Sequence, residues 1–479
     1  MDNPPHGIPF PLRDMLELHQ ELHARPALPA RSPCVVSYWV NAGMAAARAQ
    51  QALTTICLAS GAAKPAADVR HHVLHGGGFS LKYERHGEFV SWQVNRPLPA
   101  MPNVPSDEVL RQAVLASSAL DALPAAFVAH LSGPDSGQLL AAAHVVLVRG
   151  SEPTPTADRQ TEARLLRQCQ ALLAAQAGPG LGDMANNGEG AAPVMGAYIG
   201  DGQRAALLTH LRLGPDGFAR FLVLDFGLDS DQAAREAQRL CEIEAYRMLA
   251  MQGFPLAQRA SASLAELERQ LLATVDTMAH AEPGDEGTTF DSLSQLAAAV
   301  EHSTASTRYR FSATQAYHRI VEARLGELRE QRIAGVQTLS GFLRRRFAPA
   351  MAFCASTDSR LTDVADRINR AVGLARVRLE ARREAGNQQL FRALAQRQKQ
   401  QLQLQQTVEG LSVVAISYYA LGLVGYIAKA AKSLAGVADW MPTSELVVGD
   451  WSSGVCSSDL PSTKPTPIPI HSSTHMCRP

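Results

Sequence analysis

The stretch "GLSVVAISYYALGLVGYIAK" occupies Gly410–Lys429, and none of the nineteen residues before the lysine carries a charge. At 1.5 Å per residue such a helix is roughly 28 Å long, close to the hydrocarbon thickness of a bilayer. A buried helix of a soluble protein usually carries a run of only about 10–14 apolar residues. Tyr418, Tyr419, Ser412 and Ser417 temper the hydrophobicity, while Gly410, Gly422 and Gly425 suit close helix–helix contact. The run predicts a transmembrane helix. Arg392, Arg397 and Lys399 precede it and Lys429 and Lys432 follow it. That balance leans toward a cytoplasmic N-terminal side.

Working outward, 479 residues are enough for two or three structural units with a sizeable core. Lys+Arg and Asp+Glu balance at 45 each, so no global charge argues for a nucleic-acid partner. Only six of the basic residues are lysines, a bias that accompanies GC-rich bacterial genomes. Cys34, Cys57, Cys169, Cys241, Cys354, Cys456 and Cys477 are scattered without CxxC or Cys/His pairing. They fit a reduced compartment better than a disulfide framework or a zinc site. "MDNPPHGIPFPLRDML" lacks a basic segment followed by an apolar one, so no cleavable signal peptide is expected.

The first half reads as mixed α and β. "PLRDMLELHQELHAR" puts Leu12, Met15, Leu16, His19, Leu22 and His23 on one helical face before Pro26. "FSLKYERHGEFVSWQV" reads as a hairpin turning at His86-Gly87, with Tyr83 facing Val90, Leu81 facing Trp92 and Phe79 facing Val94. Lys82/Ser91 and Ser80/Gln93 would then form a polar outer face. A second pairing is expected between "RAALLTHLRL" and "FARFLVLDF" across Gly214-Pro215-Asp216-Gly217, and "AHVVLVRG" (143–150) is a further strand. Residues 151–192 read as surface excursions flanking a short helix. From Asp229 or Ser230, potential caps, a helix runs until Gly253 and Pro255. Helical periodicity then persists to residue 408. It places Tyr317, Val321, Leu325 and Leu328 on one stripe, then Leu361, Val364, Ile368 and Val372, then Leu390, Leu394, Leu402 and Val408. Arg344-Arg345-Arg346 reads as a solvated face. The expected architecture is an α+β cytoplasmic domain (1–228), a helical bundle or coiled-coil stalk (229–408), a C-terminal transmembrane helix opening a hairpin (409–449), and a tail (450–479).

Several of these stretches resemble one family. "PLRDMLELHQELHARP", "TQAYHRIVEARLGELREQR", "TLSGFLRRRFAPAM" and above all "QLQLQQTVEGLSVVAISYYALGLVGYIAKA" are similar to domain of unknown function 3422, over most of residues 9–448. The resemblance implies a bacterial membrane-anchored protein with a cytoplasmic α/β and helical body and two C-terminal membrane helices; it implies no activity. The chain departs from that pattern after "PTSELVVG". "DWSSGVCSSDL" (Asp450–Leu460) reads as a translated sequencing adapter, with Gly454 where the adapter encodes Asp, and Pro461–Pro479 as unrelated sequence. On that reading the second membrane helix is lost, and Trp451, Cys456 and Cys477 carry no function.

Candidate chemistry is sparse. His19 and His23 have the i, i+4 spacing of a metal pair, but Glu21 is not directly after the first histidine, where H-E-x-x-H requires it; Gln20 is. Core-edge histidines are the expectation, and Arg25 anchors the helix end. "HGGG" (His75–Gly78) matches an oxyanion-loop pattern, but no G-x-S-x-G supplies a nucleophile. "DFG" (Asp225–Gly227) stands without the other kinase elements, and reads as a strand end followed by a turn. Neither a Walker A sequence nor a dinucleotide fingerprint is present. No residue is therefore assigned a catalytic, cofactor-binding or metal-ligating role, and no cofactor is expected. The expectation is a non-enzymatic scaffold or interaction protein of the bacterial inner membrane, its large N-terminal part facing the cytoplasm. Its partners would be the lipid bilayer and either further copies of itself or another membrane protein. The alternative is a channel or transporter component of CorA-like architecture, although the Gly-Met-Asn signature is missing.

Overall fold

A computed structural model describes residues 27–102, 106–133, 135–149, 159–176, 193–280 and 285–434. The protein is α+β, built on one large sheet and ending in a long helix with an apolar C-terminal part. The strands are β1 (Cys34–Ala42), β2 (His71–Gly76), β3 (Phe79–Arg85), β4 (Phe89–Pro97), β5 (Gln138–Arg149), β6 (Met195–Ile199), β7 (Ala205–Leu213), β8 (Ala219–Asp225) and β9 (Gln331–Arg332). They lie in the order β2-β3-β4-β1-β5-β8-β7-β6-β9. Every neighbouring pair is antiparallel except β5 and β8, which run parallel. The longer helices are α1 (Ala46–Ala59), α2 (Arg159–Gln176), α3 (Ser230–Met251), α4 (Gly253–His280), α5 (Glu286–Glu327) and α6 (Leu339–Leu434). By its contacts the chain divides into two units, Met1–Ala381 and Arg382–Pro479.

The central strands are buried on both faces, which is why they read as near-continuous apolar runs. Val36, Tyr38, Val40, Val145, Leu147, Phe221 and Val223 join one core with α3, α4, α5 and the first part of α6. Val35, Trp39, Val146, Val148, Leu222 and Leu224 join the other, with α1, α2 and the short helical turns between residues 107 and 131. Trp92 anchors this second core, 4.8 Å from Tyr83, 5.1 Å from Phe127 and stacked on Trp39 at 6.4 Å between ring centres.

The hairpin of β3 and β4 forms, but its register is shifted by two residues from the expected one. Tyr83 faces Trp92, Leu81 faces Val94, Lys82 faces Gln93 and Ser80 faces Asn95. His86 donates its amide to the Phe89 carbonyl at 2.8 Å, so Gly87-Glu88 is the two-residue turn. A two-residue shift keeps every side chain on its face, so the apolar set survives intact. The polar face does not look outward as expected. Lys82, Ser91, Gln93 and Asn95 are all buried, with Lys82 paired to Glu84 at 3.2 Å and Gln93 bonded to Asn95 at 3.0 Å. The cause is tertiary: this end of the sheet is covered by helices, Tyr246 of α3 meeting Phe89 edge-on at 6.3 Å. From α5, Arg310 and Tyr317 clamp Glu88 at 2.7 and 3.2 Å.

The β7–β8 hairpin and the β5 strand appear where expected, as do the helices that follow. Asp229 caps α3 through a capping box with Gln232. Gln252 separates α3 from α4, which opens at Gly253 against α5. A Cβ at Gly253 would lie 2.3 Å from Thr314 Oγ1. Ion pairs between Arg324 and Glu242, and between Arg239 and Glu327 at 3.1 Å, join α5 to α3. Arg360 pairs with Glu268 of α4 at 2.8 Å, and Arg378 donates to the Met278 carbonyl at 2.6 Å. The expected stripe Val321, Leu325, Leu328 is buried, and so are Leu361, Val364 and Ile368, with Val372 at the core edge.

Candidate functional site

Two features stand out as sites: the far half of α6 and a polar chain inside the sheet. Along α6 the buried positions recur every three or four residues as far as Ala375, the pattern of a helix with one packed face. From Glu380 to Ala431 every residue is exposed. Leu390, Leu394, Leu402 and Val408, expected to form a stripe, are each more than half exposed. In the uncharged run Leu411, Val413, Val414, Ile416, Leu421, Leu423, Val424 and Ile427 project around the whole circumference. A helix apolar on all sides cannot be satisfied by packing one face on a soluble body. By length and composition it is able to cross a membrane.

The internal chain begins at Ser37 in β1. Its Oγ accepts the Ala119 amide at 2.9 Å and lies 2.8 Å from His144 Nδ1 in β5. The ring's other nitrogen, Nε2, faces a carboxylate that can only accept, which favours the ring proton on Nε2 and a Ser37 hydroxyl donating to Nδ1. Nε2 faces Asp216 Oδ2 at 3.4 Å, a long contact, electrostatic more than a well-made hydrogen bond. Asp216 sits in the Gly214–Gly217 turn joining β7 to β8, where Gly217 has the positive φ of +78° that the turn requires. Arg220 completes the chain, with Nη2 at 2.5 Å from Asp216 Oδ2 and Nη1 at 3.3 Å from the Ser117 carbonyl. Phe218 stacks flat on the His144 ring at 4.2 Å.

Burial, with Arg220 adding to it against the opposing pull of Asp216, lowers the pKa of His144 and favours the neutral ring. Burial alone would raise the Asp216 carboxyl. The contact with His144, the Phe218 amide and the Arg220 charge outweigh it and bring the carboxyl down to about 2. Serine, imidazole and carboxylate in that order are the elements of an acyl-transfer triad. Here Ser37 and His144 are fully buried in central strands, out of reach of a substrate, and one of the two Ser37 lone pairs accepts the Ala119 amide. The chain fastens the 117–119 segment and the β7–β8 turn to the sheet. Sequence reasoning missed it, since its members are separated by up to 183 residues. The available signal was polar Ser37 in "CVVSYWV" and His144 in "AHVVLVRG", each inside an apolar strand.

The remaining motifs resolve simply. His19, Glu21, His23 and Arg25 lie outside the described residues. Among the described residues no group of three His, Cys, Asp or Glu side chains is placed to hold a metal ion. "HGGG" is a hairpin turn, with Gly76 opposite Phe79 and Gly77-Gly78 at φ +63° and +80°, as a type I′ turn needs. "DFG" is the end of β8, where Asp225 Oδ1 accepts the amides of Gly227 and Leu228 at 2.9 and 2.7 Å. Arg344, Arg345 and Arg346 are exposed. Cys34, Cys57, Cys169, Cys241 and Cys354 are free and buried. Burial pushes their thiols up, Cys34 and Cys169 to about 12, so little thiolate is present near neutrality.

A sequence profile described as "Protein of unknown function (DUF3422)" matches residues 9–450. The chain belongs to this family. No curated protein and no solved structure matches the chain significantly.

Proposed function

We propose that this member of the family is a membrane-anchored interaction protein of the bacterial inner membrane, held by the C-terminal part of α6 with its large N-terminal part in the cytoplasm. The observation that carries the reading is the run Gly410–Ala428, uncharged and exposed on every side. Its eleven large apolar or aromatic side chains between Leu411 and Ile427 are each 58–78% exposed. Burying such side chains is worth about 1.5–3 kcal/mol apiece, so leaving them in water costs on the order of 10 kcal/mol or more. Lipid removes that cost while the helix satisfies its own backbone. Arg392, Arg397 and Lys399 before the run favour a cytoplasmic body.

A scaffold or docking role, through further copies of the chain or another membrane protein, is favoured over catalysis. The supporting observation is that Ser37 and His144 are fully buried in central strands and, with Asp216 of the β7–β8 turn, hold two connecting segments.

The test is fractionation of cells expressing the full chain. The protein should sediment with membranes, resist alkaline carbonate and come out with detergent. In spheroplasts, its body should be protected from added protease until the membrane is opened. Recovery of the full chain as a soluble monomer without detergent would overturn the reading.

A further inference from the structure

The two strands that run parallel, β5 and β8, end side by side at Arg149 and Asp225, and α3 begins just beyond the second. In open α/β sheets the crevice beyond the carboxyl ends of parallel strands is where ligands bind. The protein has two cavities there, of about 540 and 300 Å³, sharing Ala30, Arg31, Ser32 and Ser230 in their walls. The larger falls within the size range of small-molecule sites. Its apolar side is made by Phe79, Pro97 and Leu98, and its charged side by Arg31 and Arg96, with His75 beside them. Among the described residues no carboxylate lines it, although Asp121 pairs with Arg96 from outside at 3.4 Å. Asp225 and Asp229 line the smaller cavity, each accepting backbone amides.

Two side chains in the larger cavity have unmet hydrogen-bonding capacity. Ser32 is only 8% exposed, and its hydroxyl has no hydrogen-bond partner among the described residues. Arg96 uses Nη2 on the Ser118 carbonyl at 2.7 Å and, at 3.4 Å, on the Asp121 carboxylate, leaving Nε buried without a partner among the described residues. Arg31 is exposed and forms no ion pair with a described residue. The amino end of α3, a helix of 22 residues, adds its dipole at Ser230. A buried hydroxyl without a partner is unfavourable, and native proteins rarely retain one without a reason.

We propose that this cleft binds a small organic anion, its phosphate or carboxylate meeting Ser32, Arg31 and the start of α3, and its apolar part lying against Phe79 and Leu98. The site lies in the sheet-bearing body and is independent of the membrane segment.

The test is calorimetric titration of the full chain in detergent with phenyl phosphate and with phenylacetate, empty micelles being subtracted. At least one probe should bind saturably, with inorganic phosphate at least about tenfold weaker because it lacks the apolar part. Whichever probe binds more tightly identifies the anionic group. Arg31→Ala and Ser32→Ala should each weaken binding by about tenfold, the loss of one charge-assisted contact. Ser32→Ala should leave the ligand-free protein as stable as before or more so, because it removes an unsatisfied buried hydroxyl. A hydroxyl with a structural role would behave in the opposite way. The proposal is overturned if neither probe saturates below about 10 mM. It is also overturned if inorganic phosphate binds as tightly as the better probe, if both variants titrate like the parent, or if Ser32→Ala lowers stability.

Discussion

Replacing Asp216 with asparagine should destabilise the sheet-bearing body by about 2–3 kcal/mol near neutral pH, within the range for breaking a partly buried pair. The magnitude can be worked from both partners. The carboxyl is lowered from 3.8 to about 2, and each unit corresponds to about 1.4 kcal/mol. The Asp216 side chain is 35% exposed, so solvent screening reduces the resulting figure of nearly 2.5 to about 1–2 kcal/mol. Arg220 supplies the rest. Its side chain is 6% exposed, and without Asp216 it keeps only the Ser117 carbonyl among its hydrogen bonds. Stripping the partner from a fully buried ion costs about 3–5 kcal/mol, which sets the upper limit.

The assay is urea unfolding followed by tryptophan fluorescence, with Trp440 and Trp451 replaced by phenylalanine so that only Trp39 and Trp92, both in the core, report. The pH dependence provides a second reading. A carboxyl whose pKa is depressed on folding contributes stability that is full above 3.8 and lost as pH falls through about 2. The gap between parent and Asp216→Asn should therefore close across that window. His144 works in the other half of the acid range. Burial lowers its pKa, so the unfolded chain binds the proton more readily and stability falls as pH drops below 6.5. His144→Gln should flatten that slope. In a double-mutant cycle, Asp216→Asn with Arg220→Met should cost less than the sum of the single changes. A loss below about 0.5 kcal/mol for Asp216→Asn, the scale of an ordinary surface substitution, would refute the argument.

Gly253→Ala should lower stability by about 1–3 kcal/mol through overpacking, since its Cβ would meet Thr314 Oγ1 at 2.3 Å. Thr314→Ala in the same chain should restore part of the loss, read by the same unfolding assay. Gly137→Ala should be worse and without such rescue, because the new Cβ meets backbone, the Ala42 carbonyl at 2.3 Å, and φ is +71°. Leu421→Arg together with Tyr419→Arg should shift the full chain out of carbonate-resistant membranes, each arginine costing about 2.5–3.5 kcal/mol near the helix centre. Retention equal to the parent in the fractionation assay would count against the anchor.

What could be read in the sequence was what is decided locally. Gly214-Pro215-Asp216-Gly217 has the composition of a turn, and Asp229 with Gln232 forms a capping box, so β7, β8 and α3 fall where expected. The β3–β4 hairpin was legible except for its register, because turns at His86-Gly87 and at Gly87-Glu88 keep the same side chains on the same face. Nothing local separates them. Lys82, Ser91 and Gln93 looked solvent-facing because alternation reports chemistry, and whether helices cover a sheet face is decided by chain far away. The Ser37–His144–Asp216 chain was illegible for the same reason. It needs β1 beside β5 and the β7–β8 turn folded over them, a juxtaposition set by strand order.

The change of character along α6 bears most directly on function. Leu361, Val364, Ile368, Ala371 and Ala375 are buried at three- and four-residue intervals, so the body itself explains that stretch of sequence. Leu390, Phe391, Leu394, Leu402, Leu404 and Val408 form a sparser set, separated by glutamines and a few charges, and each is more than half exposed. From Gly410 to Ala428 there is no charge, and the apolar residues spread to every side. These are three different solvents written along one helix. A single packed face fits a protein core, and a sparse stripe among polar residues fits a partner helix. An all-round apolar surface about one bilayer thick fits lipid. If Leu390, Leu394 and Leu404 meet copies of themselves, replacing all three with glutamine should abolish crosslinking between copies in native membranes. Carbonate resistance should remain, because the run Gly410–Ala428 is untouched. Crosslinking that survives the triple replacement would remove self-association through this stripe from the proposal while leaving the anchor in place.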